Sequence, residues 1–202
     1  MKTAFVTGGN KGIGRQIAFD LRQRGWWVYT NSTTTQVSKN IKPLDVLILN
    51  AGITDRSDFG KISRAEWNKV IETNLTEPFF LVQNLDINDN GRVIFISSIL
   101  GEIPHSVSMG YPVTKAAINA VVKNLVKHLS HRKITVNAVA PGFINTDWHK
   151  HKSPELIKRI ENKIALGRFG NVSEVSSLVM EIINNEYING QIISIDGGYD
   201  YK

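Results

Sequence analysis

Tyr111 and Lys115 stand four residues apart in Tyr111-Pro-Val-Thr-Lys115. On a helix this spacing puts both side chains on one face, one turn apart. An ammonium beside a phenol favours the phenolate and lowers a pKa that is ordinarily near 10. A tyrosine tuned in this way can exchange a proton near neutral pH. Ser98 follows the apolar run Val93–Ile96, and its hydroxyl could hydrogen-bond the same substrate oxygen. A second group, Thr7-Gly8-Gly9-Asn10-Lys11-Gly12-Ile13-Gly14, follows Phe5-Val6. Glycines there allow close backbone approach to a pyrophosphate, and a helix N-terminus offers it free N–H groups. Each signal also has a plainer reading when taken alone. The first could be a packed ring beside a solvated lysine, the second an ordinary strand-to-helix turn. The glycine spacing also differs from the commoner G-x-G-x-x-G.

The elements that would position these groups alternate along the chain. Phe5-Val6, Trp26–Tyr29, Val46–Leu49, Val93–Ile96, Ile134–Val139 and Gln191–Ile195 read as strands. Between them, Ile13, Ile17, Ala18 and Leu21 recur at helical spacing up to Gly25. Ser63-Arg64-Ala65-Glu66 has capping-box spacing and leads into Trp67, Val70, Ile71 and Leu75. A long helix is expected from Tyr111 to His131, with Val113, Ala117, Ala120, Val121 and Leu125 inward. Ser153-Pro154-Glu155 reads as an N-cap before a first-turn proline, and Ser173–Ile183 as another helix. Strands alternating with helices imply an α/β fold, a doubly wound and mostly parallel sheet. Ligands in such sheets bind beyond the carboxyl ends of the strands, where Gly8, Asn50, Ser98 and Gly142 all fall.

Composition narrows the class. A chain of 202 residues with 42% apolar and 21% charged residues can bury one substantial core, so we expect a single domain over 1–202. The absence of cysteine removes thiol chemistry and thiolate metal sites. No apolar run approaches the roughly 18 residues that span a membrane. The short run Thr3–Val6 is no signal-peptide core, so a cytoplasmic location is expected. The net charge of +6 permits an anionic partner. Nucleic acid is not expected, because no recognition helix or aromatic-rich binding strand accompanies that charge.

The ordered set Thr7–Gly14, Asn50-Ala51-Gly52, Asn74 in Thr-Asn-Leu, Ser98, Tyr111-Pro-Val-Thr-Lys115 and Pro141-Gly142 resembles the short-chain dehydrogenase/reductase family. The tail Ile188-Asn-Gly-Gln-Ile-Ile-Ser-Ile-Asp-Gly-Gly198 is similar to that family's ending. The resemblance covers almost the whole chain. It implies a Rossmann-type fold and hydride transfer between a nicotinamide cofactor and a carbonyl or secondary alcohol. Tyr111 would supply or take the proton. Lys115 would lower the phenol pKa and hold the nicotinamide ribose. Ser98 would polarise the carbonyl, and Asn74 would hold a water in the proton path. Cofactor contacts would come from Gly8, Asn10, Lys11, Gly12, Ile13 and Gly14 in the first turn. The Asn50, Ala51 and Gly52 backbone would flank the adenosine. Pro141, Gly142 and Ile144 would line the nicotinamide, and Thr146 would meet its carboxamide.

The stretch after the second strand, Tyr29-Thr30-Asn31-Ser32-Thr33, lacks the carboxylate that NAD-selective sites use for the ribose 2′-OH. Lys11, with Asn31 and Ser32, can instead meet a 2′-phosphate, so NADP(H) is favoured over NAD(H). Only 13 residues, Asn31 to Pro43, lie between the second strand and Leu44. Relatives fit a helix, a strand and a crossover helix there. A sheet of six strands lacking one edge strand is therefore expected, with one turn of helix around Gln36–Ile41 and a reduced adenosine wall. Trp26 and Trp27 should face opposite sides of the sheet.

By the same resemblance, residues 143–170 form the substrate lid. Trp148-His-Lys-His-Lys152, Lys158, Arg159, Lys163 and Arg168 there would suit an anionic or thioester substrate, such as a 3-oxoacyl conjugate. Asp147, His149 and His151 do not have the spacing of a metal site, and no metal is expected. A homo-oligomer, dimer or tetramer, is expected, although the segment between Asn74 and Gly91 is short for the family's interface helix. A rival reading is a cofactor-sensing protein that kept the fold and lost turnover.

Overall fold

The computed structural model describes residues 1–32, 41–104, 108–199 and 201. Its strands are β1 (Thr3–Val6), β2 (Trp27–Thr30), β3 (Leu44–Leu49), β4 (Ile87–Ile96), β5 (Thr135–Pro141) and β6 (Ile192–Ile195). They form one sheet in the order β2-β1-β3-β4-β5-β6, and every pairing is parallel. The strands are apolar on both faces, as a sheet covered from both sides requires. On one face Ala4, Val6, Ile48, Ile94 and Val139 pack with α1 (Gly12–Gln23) and α6 (Val172–Asn184) through Ile17, Leu21, Val175 and Val179. On the other, Phe5, Leu47, Val93, Phe95 and Val136 pack with α3 (Glu77–Asn84) and α4 (Gly110–Leu129) through Leu81, Ile118 and Val122. Each fully buried Ile or Leu contributes about 1.5–3 kcal/mol relative to exposure, so these two layers hold the sheet.

The expected doubly wound, six-stranded sheet is therefore present, and among the described residues nothing adds a strand beyond β2. The helical turn expected around 36–41 lies outside the described residues except at Ile41. Trp26 packs against the α1/α6 layer, while Trp27 is 56% exposed on the opposite side. The Ser63–Glu66 capping box opens α2 (Arg64–Ile71) with both reciprocal bonds formed. Ser153 caps α5 (Pro154–Glu161).

Two differences from the sequence reading affect the site. First, the helix through Leu75 is not a regular α-helix: it continues unbroken from α2 into α3, but Glu72–Thr76, which contain Asn74, widen into a π turn. Second, the inward face of α4 is only in part the one its apolar residues suggested: Val121 and Leu125 pack against the core as expected. Gly110, Thr114, Lys115, Ile118 and Val122 are buried, whereas Val113 is 40% exposed and Ala120 is also exposed. Thr114 and Lys115 take inward positions, turning the helix away from the face a purely apolar count selects.

Candidate active site

The carboxyl ends of β1, β3, β4 and β5 open into a cavity of about 790 Å³. The glycine turn forms one wall. Asn50 Nδ2 donates to the carbonyls of Thr7 (3.0 Å) and Gly8 (3.2 Å), and Thr7 Oγ1 accepts from the N–H groups of Asn50 and Ala51. Gly14 makes this closeness possible, since a Cβ there would sit 2.4 Å from Asn50 Nδ2 and 2.5 Å from the Gly8 carbonyl. The first turn of α1 has no side-chain cap. Its open N–H groups suit a pyrophosphate, so these residues fit a dinucleotide on their own geometry.

The opposite wall carries Ser98, Tyr111 and Lys115. Ser98 ends β4 and caps the following short turn, accepting from Leu100 N–H at 3.2 Å. That turn lies tight against α4. A Cβ on Gly101 would meet the Lys115 carbonyl carbon at 2.8 Å, so only glycine lets the two backbones approach. Ser97 strengthens the junction, its hydroxyl donating to Asn119 Oδ1 (2.7 Å) and to the Lys115 carbonyl (3.3 Å). Lys115 is buried, with Nζ donating to the Ile96 carbonyl at 2.6 Å. Burial lowers its pKa to about 8. The same ammonium sits 5.4 Å from the centroid of the Tyr111 ring. Burial raises the Tyr111 phenol, and the hydrogen bond with Ser98 offsets part of that rise. The sequence reading expected Lys115 to depress the phenol. In the structure burial is the largest influence on the phenol, and the direction is upward.

Asn74 is buried, and its amide brackets the backbone just beyond Gly52. Oδ1 accepts from Ile53 N–H (2.9 Å), while Nδ2 donates to the Ile53 carbonyl (2.8 Å) and to Thr114 Oγ1 (3.1 Å). Both amide hydrogens are engaged, so a water could meet this side chain only at its oxygen.

The segment after β5 completes the cavity. Pro141, Gly142, Ile144 and Thr146 line it. An Ile144–Gly170 bridge, with Asn145 N–H to the Gly170 carbonyl (2.8 Å) and Gly170 N–H to the Phe143 carbonyl (2.9 Å), pins the two ends of residues 143–170 together. Trp148 reaches Tyr111, ring centroids 5.9 Å apart. His149 packs among Phe143 and Phe169. Burial, assisted by the charge of Lys152, lowers its pKa to about 4, so the imidazole is neutral. Among the described residues no cluster of His, Asp and Glu has the makings of a metal site.

An Enoyl-(Acyl carrier protein) reductase family model matches residues 29–200. The chain is 31% identical to the 3-oxoacyl-[acyl-carrier-protein] reductase of Aquifex aeolicus, covering 98% of this chain and 96% of that one. This is a short-chain dehydrogenase/reductase. Its fold superposes on the short-chain dehydrogenase/reductase of Serratia marcescens with a TM-score of 0.89, at 25% identity and 98% coverage of both chains. A blue fluorescent protein from a metagenomic library, solved with NADPH, matches with a TM-score of 0.84, at 25% identity, covering 100% of this chain and 98% of that one. The alignment with the Aquifex enzyme runs over 239 positions, more than this chain's 202 residues, so that relative carries segments this short-chain dehydrogenase/reductase lacks.

The residues singled out in the sequence take three places. Gly8, Lys11, Gly12, Ile13, Ser32, Asn50, Ala51 and Gly52 line the cavity with Ser98, Tyr111, Lys115 and the Pro141–Thr146 group. Gly14, Asn31 and Asn74 brace it from behind, Asn31 through Oδ1 accepting from Gly8 N–H at 3.2 Å. Asn10 is exposed and does not line it. Arg56, Lys69, Thr73 and Leu100 line the cavity without having been expected there. Nothing local in the sequence marks them; only the fold brings them to the rim.

Proposed function

We propose that this short-chain dehydrogenase/reductase reduces a carbonyl with NADPH, and that its substrate is a 3-oxoacyl thioester or a close analogue. The convergence of Ser98, Tyr111 and Lys115 at one end of the cavity carries the reading. A nicotinamide held beside Pro141, Gly142, Ile144 and Thr146 would supply hydride for the carbonyl carbon. Tyr111 Oη then donates its proton to the carbonyl oxygen, where negative charge develops. A phenol kept protonated by burial suits that direction, since reduction needs the acid form. Ser98 Oγ holds the oxygen in line, and Lys115 Nζ supplies the nearby positive charge. Asn74 would serve Lys115 by holding a water at its amide oxygen.

The preference for NADP(H) rests on Lys11 and Ser32 at the adenosine end, with no acid among the described residues of this part of the cavity wall. The thioester rests on the relatives' printed activity and on the cavity's charge. Arg56, Lys69 and Lys150 line the substrate side, and Asp147 is the lone acid among the described lining residues. A homo-oligomer fits the exposed apolar side chains Phe79, Phe80 and Val113. The rival reading, a cofactor sensor, draws on the shortened adenosine side.

Fluorescence titration with NADPH and NADH, followed by turnover assays on acetoacetyl-coenzyme A, ethyl acetoacetate and simple ketones, tests these points. We expect tighter NADPH binding and the highest kcat/KM on the thioester. Tight NADPH binding without turnover across the panel would favour the sensor.

A further inference from the structure

The helix that carries Tyr111 is not capped by its own sequence. Met109 stands at its N-cap and offers no side-chain acceptor. The orphan N–H groups of the first turn would each need a partner. A residue more than fifty positions earlier in the chain supplies it. Asp55 lies at the end of the loop that leaves β3 through Asn50-Ala-Gly52 and Ile53, and it is buried, 7% exposed. Its Oδ2 accepts from the N–H groups of Met109 (3.0 Å) and Gly110 (3.1 Å), and its Oδ1 from Tyr111 N–H (3.1 Å). The Ser108 hydroxyl also donates to Oδ1, and Thr54 Oγ1 hydrogen-bonds Ser108 Oγ at 3.3 Å. Burial works against the charge, but these donors outweigh it and hold the carboxyl below its ordinary value.

One carboxylate thus ties the first turn of α4 to the loop after the cofactor-flanking Asn50–Gly52. Asn74 clamps the same loop from the other side through both backbone polar groups of Ile53, and it reaches α4 again at Thr114. Space around the tether is closed. A Cβ on Gly110 would sit 3.3 Å from Val70 and 3.4 Å from Asp55 Oδ1. The backbone N–H of Tyr111 is itself one of the four donors, so the height of the phenol above Ser98 depends on this contact.

We propose that Asp55 is a positioning residue for the reaction: by capping the catalytic helix across the fold, it fixes Tyr111 relative to Ser98 and to the cofactor loop. This rests on the reductase reading above. Asp55 does not line the cavity, although its neighbours Thr54 and Arg56 do. Its loss should therefore reduce turnover while leaving cofactor affinity nearly intact, a split that general loss of fold does not produce. Asparagine keeps one acceptor of the carboxylate but presents N–H groups to the rest, so it should restore part of the rate. Alanine should restore none.

The test compares Asp55→Ala, Asp55→Asn and Ser108→Ala with the unmodified chain, using NADPH and acetoacetyl-coenzyme A. A displacement near 1 Å can cost on the order of 100-fold, so we expect Asp55→Ala to lower kcat by about 30- to 100-fold with the NADPH Kd changed less than about threefold. Asp55→Asn should fall between alanine and the unmodified chain, and Ser108→Ala should lose a few-fold. Full kcat in Asp55→Ala, or kcat and NADPH affinity falling together in all three variants, would overturn the proposal. If the alanine variant does not fold, full kcat in both remaining variants would overturn it equally. Hydrogen exchange at Met109–Tyr111 reads the tether without turnover. It should quicken in Asp55→Asn, and unchanged exchange would refute the cap even if the unmodified chain reduced no substrate on the panel.

Discussion

On the Tyr111 side of the cavity, the functional groups are fixed by partners drawn from several elements. Lys115 is held by Ile96 at the end of β4, Asn74 by Ile53 and Thr114, and the start of α4 by Asp55. On the Lys11 side, β2 is the last strand of the sheet among the described residues. Lys11 and Ser32 are exposed, and among the described residues no hydrogen bond or ion pair holds the Lys11 side chain. The catalytic half is thus assembled from the central strands, whose burial stabilises the fold whatever the ligand. The adenosine half hangs from an edge. Shortening the chain there removes cofactor surface without disturbing β3 to β6, which explains how a chain with the segment after β2 reduced to 13 residues, Asn31 to Pro43, keeps the proton-transfer geometry.

Tyr111→Phe is the strongest test of the catalytic half. The variant keeps the ring, its packing on Trp148 and the helix, and removes only the hydroxyl. General acid assistance is worth about 10²–10⁴-fold, so reduction of any accepted carbonyl should fall by that amount. The NADPH Kd from fluorescence titration should stay near its original value, because binding rests on the other half. Retention of full turnover would remove Tyr111 from the reaction.

How far the sequence reveals each half follows from the range of the contacts involved. The strands and most helices are local: apolar runs, the Ser63–Glu66 capping box and the Ser153-Pro154 start each fall within a few residues and are found in the structure where they were expected. The glycine turn is equally local. The tethers are not. Asp55 meets donors at 108 to 111, and Ser97 meets Asn119, so neither leaves a pattern that reading along the chain can detect. The inward face of α4 was read correctly at Val121 and Leu125 but not at Val113 and Ala120, for a related reason. Apolar periodicity assumes that only apolar residues turn inward, and Thr114 and Lys115 do so because their polar atoms have partners in the interior. The π turn at Glu72–Thr76 has no residue signature beyond Pro78 nearby.

A smaller effect is expected at the edge. Lys11→Ala removes the cation that, in our reading, meets the 2′-phosphate. A charge-assisted contact is worth about 1.5–3 kcal/mol, so the NADPH Kd should rise about 10- to 100-fold while NADH changes little. Tight binding here has few other contributors, which makes the contrast between cofactors large. Equal weakening of both would place Lys11 on the pyrophosphate instead and leave NADP selectivity without a residue to explain it.

The smallest effect separates two adjacent tryptophans. Trp26 is partly buried against the α1/α6 layer, with Lys2 Nζ 5.2 Å from its ring centroid. Trp27, one residue on, is 56% exposed on the other face of the edge strand, touching Tyr29 edge-on at 6.3 Å. Trp26→Ala takes a large ring out of a packed layer and should cost about 2–3 kcal/mol in urea unfolding, somewhat below the range for a fully buried tryptophan. Trp27→Thr keeps a strand-favouring residue and gives up little more than the contact with Tyr29, so it should cost no more than about 1 kcal/mol. A shift at Trp27 as large as at Trp26 would mean that this face of β2 is covered in solution. The adenosine half would then be better supported than its edge position indicates, and the contrast between the two halves would shrink accordingly.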